Sequence, residues 1–267
     1  MKIYTIILFL PLFFLQSCGV ETYLEPDFLN PPGGLIAYSL DNKIKIKFYS
    51  SNNESKFDGF NVYISKESSL KNRNILPVKN PSTGGIPTII KQSKDIIPSE
   101  PIEIVLERDS SGNYIENGIT YYIIVKAHNI DNKLSLPSNE VSATPRRESE
   151  EDVVLSINEG FNIETANKSS PFTFKLIKIN GNFYLISENG NGILSKGYYD
   201  NWELVNEADE SGYITDDTPV LIKEGYLLLV KTVNDNYGKI WITSIDNINE
   251  RIYFKWAYQK VKNNREI

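Results

Sequence analysis

Three residue types that build reactive or cross-linked sites are almost missing: the 267 residues hold one cysteine, one histidine and one methionine. A single cysteine, Cys18, can form no internal disulfide and can head no cysteine-based metal site. With one histidine, His128, zinc sites of the common His/Cys type are excluded by count. A Ser-His-Asp triad needs its histidine presented in a cleft beside a nucleophile. His128 instead falls near a strand end, on the face opposite Tyr121 and Val125, with no Gly-x-Ser-x-Gly segment to accompany it. It is expected to face outward. Basic stripes are lacking as well. Residues 19–147 carry 15 acidic and 15 basic side chains, and residues 148–267 carry 19 and 12. That balance excludes nucleic-acid binding. Asn189 to Gly192 (NGNG) lacks the lysine and the following helix of a phosphate loop.

Long apolar runs are also absent, apart from one at the start. Lys2 precedes a continuous apolar stretch from Ile3 to Leu15. A mature helix needs roughly 20 such residues to span a bilayer, so residues 1–17 read as a cleaved signal segment. The tetrapeptide Leu15-Gln16-Ser17-Cys18 resembles a bacterial lipobox: aliphatic at −3, small at −1, cysteine at +1. Gln16 departs from the usual −2 residue. The resemblance implies that Cys18 is the lipidation site and that acyl chains, palmitate among them, hold the mature chain to a membrane. Each buried methylene contributes about 0.8 kcal/mol. Residues 18–32 (CGVETYLEPDFLNPP) are polar, proline-bearing and unpatterned, and read as a tether.

What the chain does have is aromatic and β-branched residues: 16 Tyr, 12 Phe and 3 Trp. That composition favours strands over helices, and the expected fold class is all-β. Lys43 to Tyr49 (KIKIKFY) alternates, with Ile44, Ile46 and Phe48 inward and lysines outward. Asp58-Gly59 reads as a turn before a strand over Phe60 to Ser65, and Ile102 to Leu106 as a further strand. Tyr121, Ile123, Val125 and Ala127 fall on one face of the next, and Glu140 to Thr144 form a short strand closed by Pro145.

The spacing Gly118-x-x-Tyr121-x-x-x-Val125-x-Ala127, followed by Ser135-x-Pro137-Ser138-Asn139-Glu140-Val141 and Thr144-Pro145, resembles the last two strands of a fibronectin type III domain. By that resemblance residues 33–147 form such a sandwich, and Tyr121 is its structural tyrosine-corner residue, with its hydroxyl bonded to backbone a few residues upstream. Residues 68–98 are an insertion, either a flexible one with no dedicated role or part of a binding surface. The charged, pattern-free residues 148–152 read as a linker.

A second antiparallel β domain is expected over 153–267. Phe172 to Ile179, Asn180-Gly181 and Phe183 to Ser187 make a strong hairpin signal. Further strands are expected at Val220 to Lys223, Tyr226 to Val233, Lys239 to Ile245 and Arg251 to Tyr258. The tail GYLLLVKTVNDNYGKIWITSI…RIYFKWAYQ resembles the C-terminal strands of HmuY-like bacterial surface lipoproteins. Some of that group bind haem through paired histidines, but residues 153–267 contain no histidine, cysteine or methionine, the usual axial ligands. No cofactor and no metal are therefore assigned. Asp200 to Glu224 hold eight acids against one lysine without EF-hand spacing, and read as a solvated acidic loop. Tyr198, Tyr199 and Trp202 (GYYDNW) suit either a contact surface or the core of a strand beginning at Leu194.

These readings together describe a membrane-anchored, extracytoplasmic lipoprotein, periplasmic or surface-exposed. Its role is non-catalytic, binding or structural, with envelope or host proteins as partners. The alternative is a carrier of a haem-like or hydrophobic small ligand seated in the C-terminal domain. A polysaccharide-active enzyme is a third reading, without a recognisable catalytic domain to support it.

Overall fold

The computed structural model describes residues 28–68, 96–215 and 217–267, and in them the chain is all-β, without an α-helix. Cys18, the signal segment and most of the 68–98 insertion lie outside the described residues. No helix among the described residues is long and apolar enough to cross a membrane.

The N-terminal unit is built from β1 (Gly33–Leu40), β2 (Lys43–Tyr49), β3 (Phe57–Ser65), β4 (Ile102–Leu106), β5 (Tyr121–Asn129) and β6 (Val141–Ala143). They form two antiparallel three-stranded sheets, ordered β1-β2-β4 and β3-β5-β6. The alternation in β2 decides the inner face of the first sheet: Ile44, Ile46 and Phe48 are fully buried. Phe60, Val62 and Ile64 on β3 and Tyr121, Ile123, Val125 and Ala127 on β5 meet them from the second sheet. Phe48 and Phe60 pack edge to face, ring centroids 5.1 Å apart, the arrangement that aligns ring edges with the negative ring face. Burying each large apolar side chain contributes roughly 1.5–3 kcal/mol, so this shared core holds the two sheets together.

Two local expectations are corrected. Asp58-Gly59 is not a turn but lies inside β3, where the register against β5 shifts between Phe57 and Gly59. The extra residue is absorbed as a bulge. His128 is buried, not outward-facing. It sits on the central strand of its sheet, paired with Gly59 on one side and bridged to Leu134 on the other. Its Nδ1 lies 3.6 Å from Asp58 Oδ2.

The C-terminal unit holds β7 (Arg147–Glu148), β8 (Val153–Ser156), β9 (Gly160–Phe161), β10 (Phe174–Ile179), β11 (Asn182–Ser187), β12 (Gly192–Tyr198), β13 (Val220–Leu221), β14 (Tyr226–Lys231), β15 (Tyr237–Asp246) and β16 (Arg251–Gln259). One sheet runs β12-β14-β15-β16-β7, with β8 also on β16, and the other runs β13-β11-β10-β9. The β10–β11 hairpin turns through Asn180 (φ 48°) and Gly181 (φ 81°). Both central residues of a type I′ turn need positive φ, which is why Asn-Gly stands there. Between the sheets Phe161, Phe174, Phe254 and Trp256 form one aromatic cluster, with centroids 5.3 to 5.9 Å apart.

The charged segment expected to be a linker over 148–152 is drawn into this unit. Arg147 and Glu148 pair with Tyr258 and Ala257, and the Ser149 backbone N–H donates to the Trp256 carbonyl. A free edge of β16 offers unpaired backbone groups, and these residues satisfy them.

Candidate functional site

Tyr121, the tyrosine-corner candidate, is fully buried, and its hydroxyl accepts a hydrogen bond from the Glu116 backbone N–H at 3.1 Å. The three aromatics of GYYDNW part company. Tyr198, at the end of β12, is 66% exposed, its ring lying over Gly225. Tyr199 is half-buried, and its carbonyl accepts the Trp241 indole N–H at 3.2 Å. Trp202, also half-buried, turns inward and caps the ammonium of Lys239, 4.9 Å from its ring centroid.

Lys239 is the centre of an arrangement that sequence reasoning missed. On β15 it shares a face with Tyr237 and Trp241, and it is fully buried. Its Nζ donates to the carbonyl oxygens of Trp202 (3.0 Å), Val205 (2.6 Å) and Ile267 (3.3 Å). Three acceptors match the three N–H donors of the ammonium form; the neutral amine keeps two. Burial pulls the other way and, with the Arg146 guanidinium nearby, pushes the Lys239 pKa down to about 6, against the pull of Glu148 and Glu203.

The face of the six-stranded sheet around Lys239 is covered by the residues after β12 and by the last residues of the chain. The Ala208 N–H donates to the Arg265 carbonyl at 2.8 Å and the Ile267 N–H to the Asn206 carbonyl at 2.9 Å. Ala208, Leu229, Tyr237 and Ile267 bury a small apolar cluster beneath them. The expected solvated acidic loop is thus in large part a strap. Asp209 pairs with Lys196 at 2.7 Å, and Arg265 pairs with both Glu207 and Glu210. Alternation shows which residues share the face of Lys239 but carries no sign that an aperiodic segment lies across it. The only hint is that two large aromatics flank the lysine.

Where this strap meets the first unit, buried polar groups tie the two together. Arg146 is 4% exposed. Its guanidinium donates to the Ser39 carbonyl and lies 3.5 Å from Glu148 Oε2. Burial lowers the Arg146 pKa while Glu148 resists, and burial raises that of Glu148 while Arg146 and Lys239 oppose it. Gln259 is fully buried and donates to the Thr144 carbonyl (3.0 Å) and the Glu266 carbonyl (3.3 Å). Glu266 Oε2 in turn accepts the Thr144 N–H at 2.6 Å. The exposed Lys45–Glu203 ion pair, 2.7 Å, also crosses the junction, but such pairs contribute only about 0–1 kcal/mol. Hydrogen bonds whose partners would be left buried and unmatched are worth more.

Beside this tie lies a cleft of about 600 Å³, walled by β1 and β6 on one side and by the strap and residues 263–267 on the other. Hydroxyls, amides and paired charges dominate its lining, which contains Tyr38, Ser39, Ser142, Asn206, Asn263 and Arg265.

No family model matches the chain, and no curated protein matches it. Among solved structures, a DUF4466 family protein from Parabacteroides merdae is similar at 9% identity, over 85% of this chain and 95% of that one, with a TM-score of 0.38. The spore cortex lytic enzyme SleM of Clostridium perfringens is similar at 23% identity over 43% of this chain and 28% of that one, TM-score 0.26. An α-L-rhamnosidase from Dictyoglumus thermophilum is similar at 13% identity over 86% of this chain and 25% of that one, TM-score 0.29.

Proposed function

We propose that this chain is a membrane-anchored, extracytoplasmic lipoprotein with a non-catalytic binding role, its N-terminal unit serving as a fibronectin type III module. The observation that carries the anchoring is the sole cysteine, Cys18, placed directly after the apolar run in Leu15-Gln16-Ser17-Cys18. The module assignment is supported by the three-on-three strand order and by the Tyr121 hydroxyl bond to the Glu116 backbone. The binding role is supported by the junction cleft, whose walls come from both units and are held by buried contacts. Clefts at such interfaces are where ligand sites concentrate.

Labelling of growing cells with a clickable palmitate analogue tests the anchor. The wild-type chain takes up label and fractionates with membranes, whereas Cys18→Ser abolishes both. An unlabelled chain, or a Cys18→Ser chain that stays with the membranes, overturns the reading.

A further inference from the structure

The chemistry of the junction cleft narrows what it can hold. Among the described residues, the side-chain polar atoms of Tyr38, Ser39, Ser142, Asn206 and Asn263 have no hydrogen-bond partner in the protein, and all five residues line the cleft. Ser39 is buried and Tyr38 half-buried, whereas Ser142, Asn206 and Asn263 are exposed, so the set is open to solvent and available to a ligand. These five are neutral. Each hydroxyl both donates and accepts, and each primary amide offers two donors and an acceptor.

The charged groups in the same cleft are already engaged. Arg265 is held between Glu207 and Glu210, and Glu266 takes the Thr144 backbone N–H. An anionic ligand would face the Glu207 and Glu266 carboxylates and compete with Glu207 and Glu210 for the Arg265 guanidinium. An apolar ligand would strip water from the amides and hydroxyls and give nothing back. A neutral ligand dense in hydroxyl groups meets neither penalty. Its alternating donors and acceptors match the uncommitted set, and Tyr38 offers an aromatic wall.

The walls are pre-set. Residues 263–267 are fixed by Lys239 at the Ile267 carbonyl, by Gln259 at the Glu266 carbonyl and by Asn264 Oδ1, which accepts the Glu266 N–H at 2.9 Å. A site whose lining is ordered before the ligand arrives loses less affinity to ordering. The volume of about 600 Å³ falls within the usual range of ligand pockets, roughly 300–1,000 Å³.

From these observations we infer that the cleft between the two units is a binding site for a neutral oligosaccharide. The inference rests on the binding role proposed above and names its ligand class.

Calorimetric titration of the purified protein tests it with five neutral probes (maltohexaose, cellohexaose, xylohexaose, mannohexaose and chitohexaose) and one anionic probe, oligogalacturonate. At least one neutral probe is expected to bind and the anionic probe is not. Asn206→Ala and Asn263→Gly, the latter keeping the positive φ of 60° at that position, should each weaken binding about 5- to 10-fold, as loss of one uncharged hydrogen bond does. Ser142→Trp, which fills the cleft from an exposed position, should abolish it. Circular dichroism of each variant separates loss of binding from loss of fold. No binding by any neutral probe, tighter binding of the anionic one, or binding indifferent to both Asn206→Ala and Asn263→Gly overturns the inference. A parallel pull-down from envelope extracts separates the two levels. Capture of a protein partner with no oligosaccharide binding removes only the ligand class, whereas failure of both assays removes the binding role itself.

Discussion

At the scale of single residues, a hydroxyl and an amine are held where no water reaches them easily. The Tyr121 hydroxyl, at the edge of the N-terminal core, accepts the part-buried Glu116 N–H. Tyr121→Phe keeps the ring and removes only that acceptor, so a loss of about 1–2 kcal/mol is expected in urea denaturation. Unchanged stability would show that the bond contributes nothing. Lys239 is the more consequential group. Lys239→Met deprives three carbonyl oxygens of a donor and should cost about 3 kcal/mol. The pH dependence has a definite sign. An unfolded lysine keeps its proton up to its ordinary pKa of 10.5, whereas the folded one, lowered to about 6, releases it far earlier. Between those values the unfolded state binds more protons, so this group makes stability rise with pH. Arg146, just before β7, Glu148 on β7 and Glu203 on the strap act on the same amine. Thermal melts from pH 7 to 9 should show the rise in the wild type and a flatter profile in Lys239→Met. Parallel profiles in the two proteins would refute the assignment.

At the scale of elements, β15 and β16 illustrate how tightly the second unit is closed. A Cβ on Gly238 would lie 2.7 Å from the Ala257 carbonyl oxygen and 2.8 Å from Ile163 Cδ1. Backbone cannot yield as a flexible side chain can, so Gly238→Ala should cost about 1–3 kcal/mol through overpacking, read as a lowered urea midpoint with an unchanged slope. A midpoint within error of the wild type would mean that the strands part without penalty. The strands that could be read from sequence are those whose alternation is strict and whose turns carry their own chemistry: β2, β5, the β10–β11 hairpin at Asn180-Gly181, and β14 to β16. β7 and β9 could not. Each is two residues long, too short for any period to show, and Arg147–Glu148 looks like linker until β16 supplies its ladder. His128 and Lys239 teach a related lesson. Alternation assigns a side chain to a face, but whether that face meets water depends on segments with no periodicity of their own. The cleft was hidden for the same reason, since its lining comes from β1, β6, the strap and residues 263–267, far apart in sequence.

At the scale of the whole molecule each unit has its own main apolar core, and a polar seam at Arg146, Gln259, Thr144 and Glu266 joins them. Apolar contacts make each unit fold, and the seam makes them fold together. Gln259→Leu leaves the Thr144 and Glu266 carbonyls and the Val261 N–H short of partners. It should split one calorimetric transition into two; a single transition in the variant would place the coupling elsewhere. The seam also sets how the molecule carries load. A pull entering at the N-terminal side reaches β1 first, and β1 is gripped at the Ser39 and Leu40 carbonyls by the side chain and the backbone N–H of Arg146. Tension on that strand is therefore shunted into the second unit through residue 146 before it can peel β1 from β2. The pair would then resist stretching together.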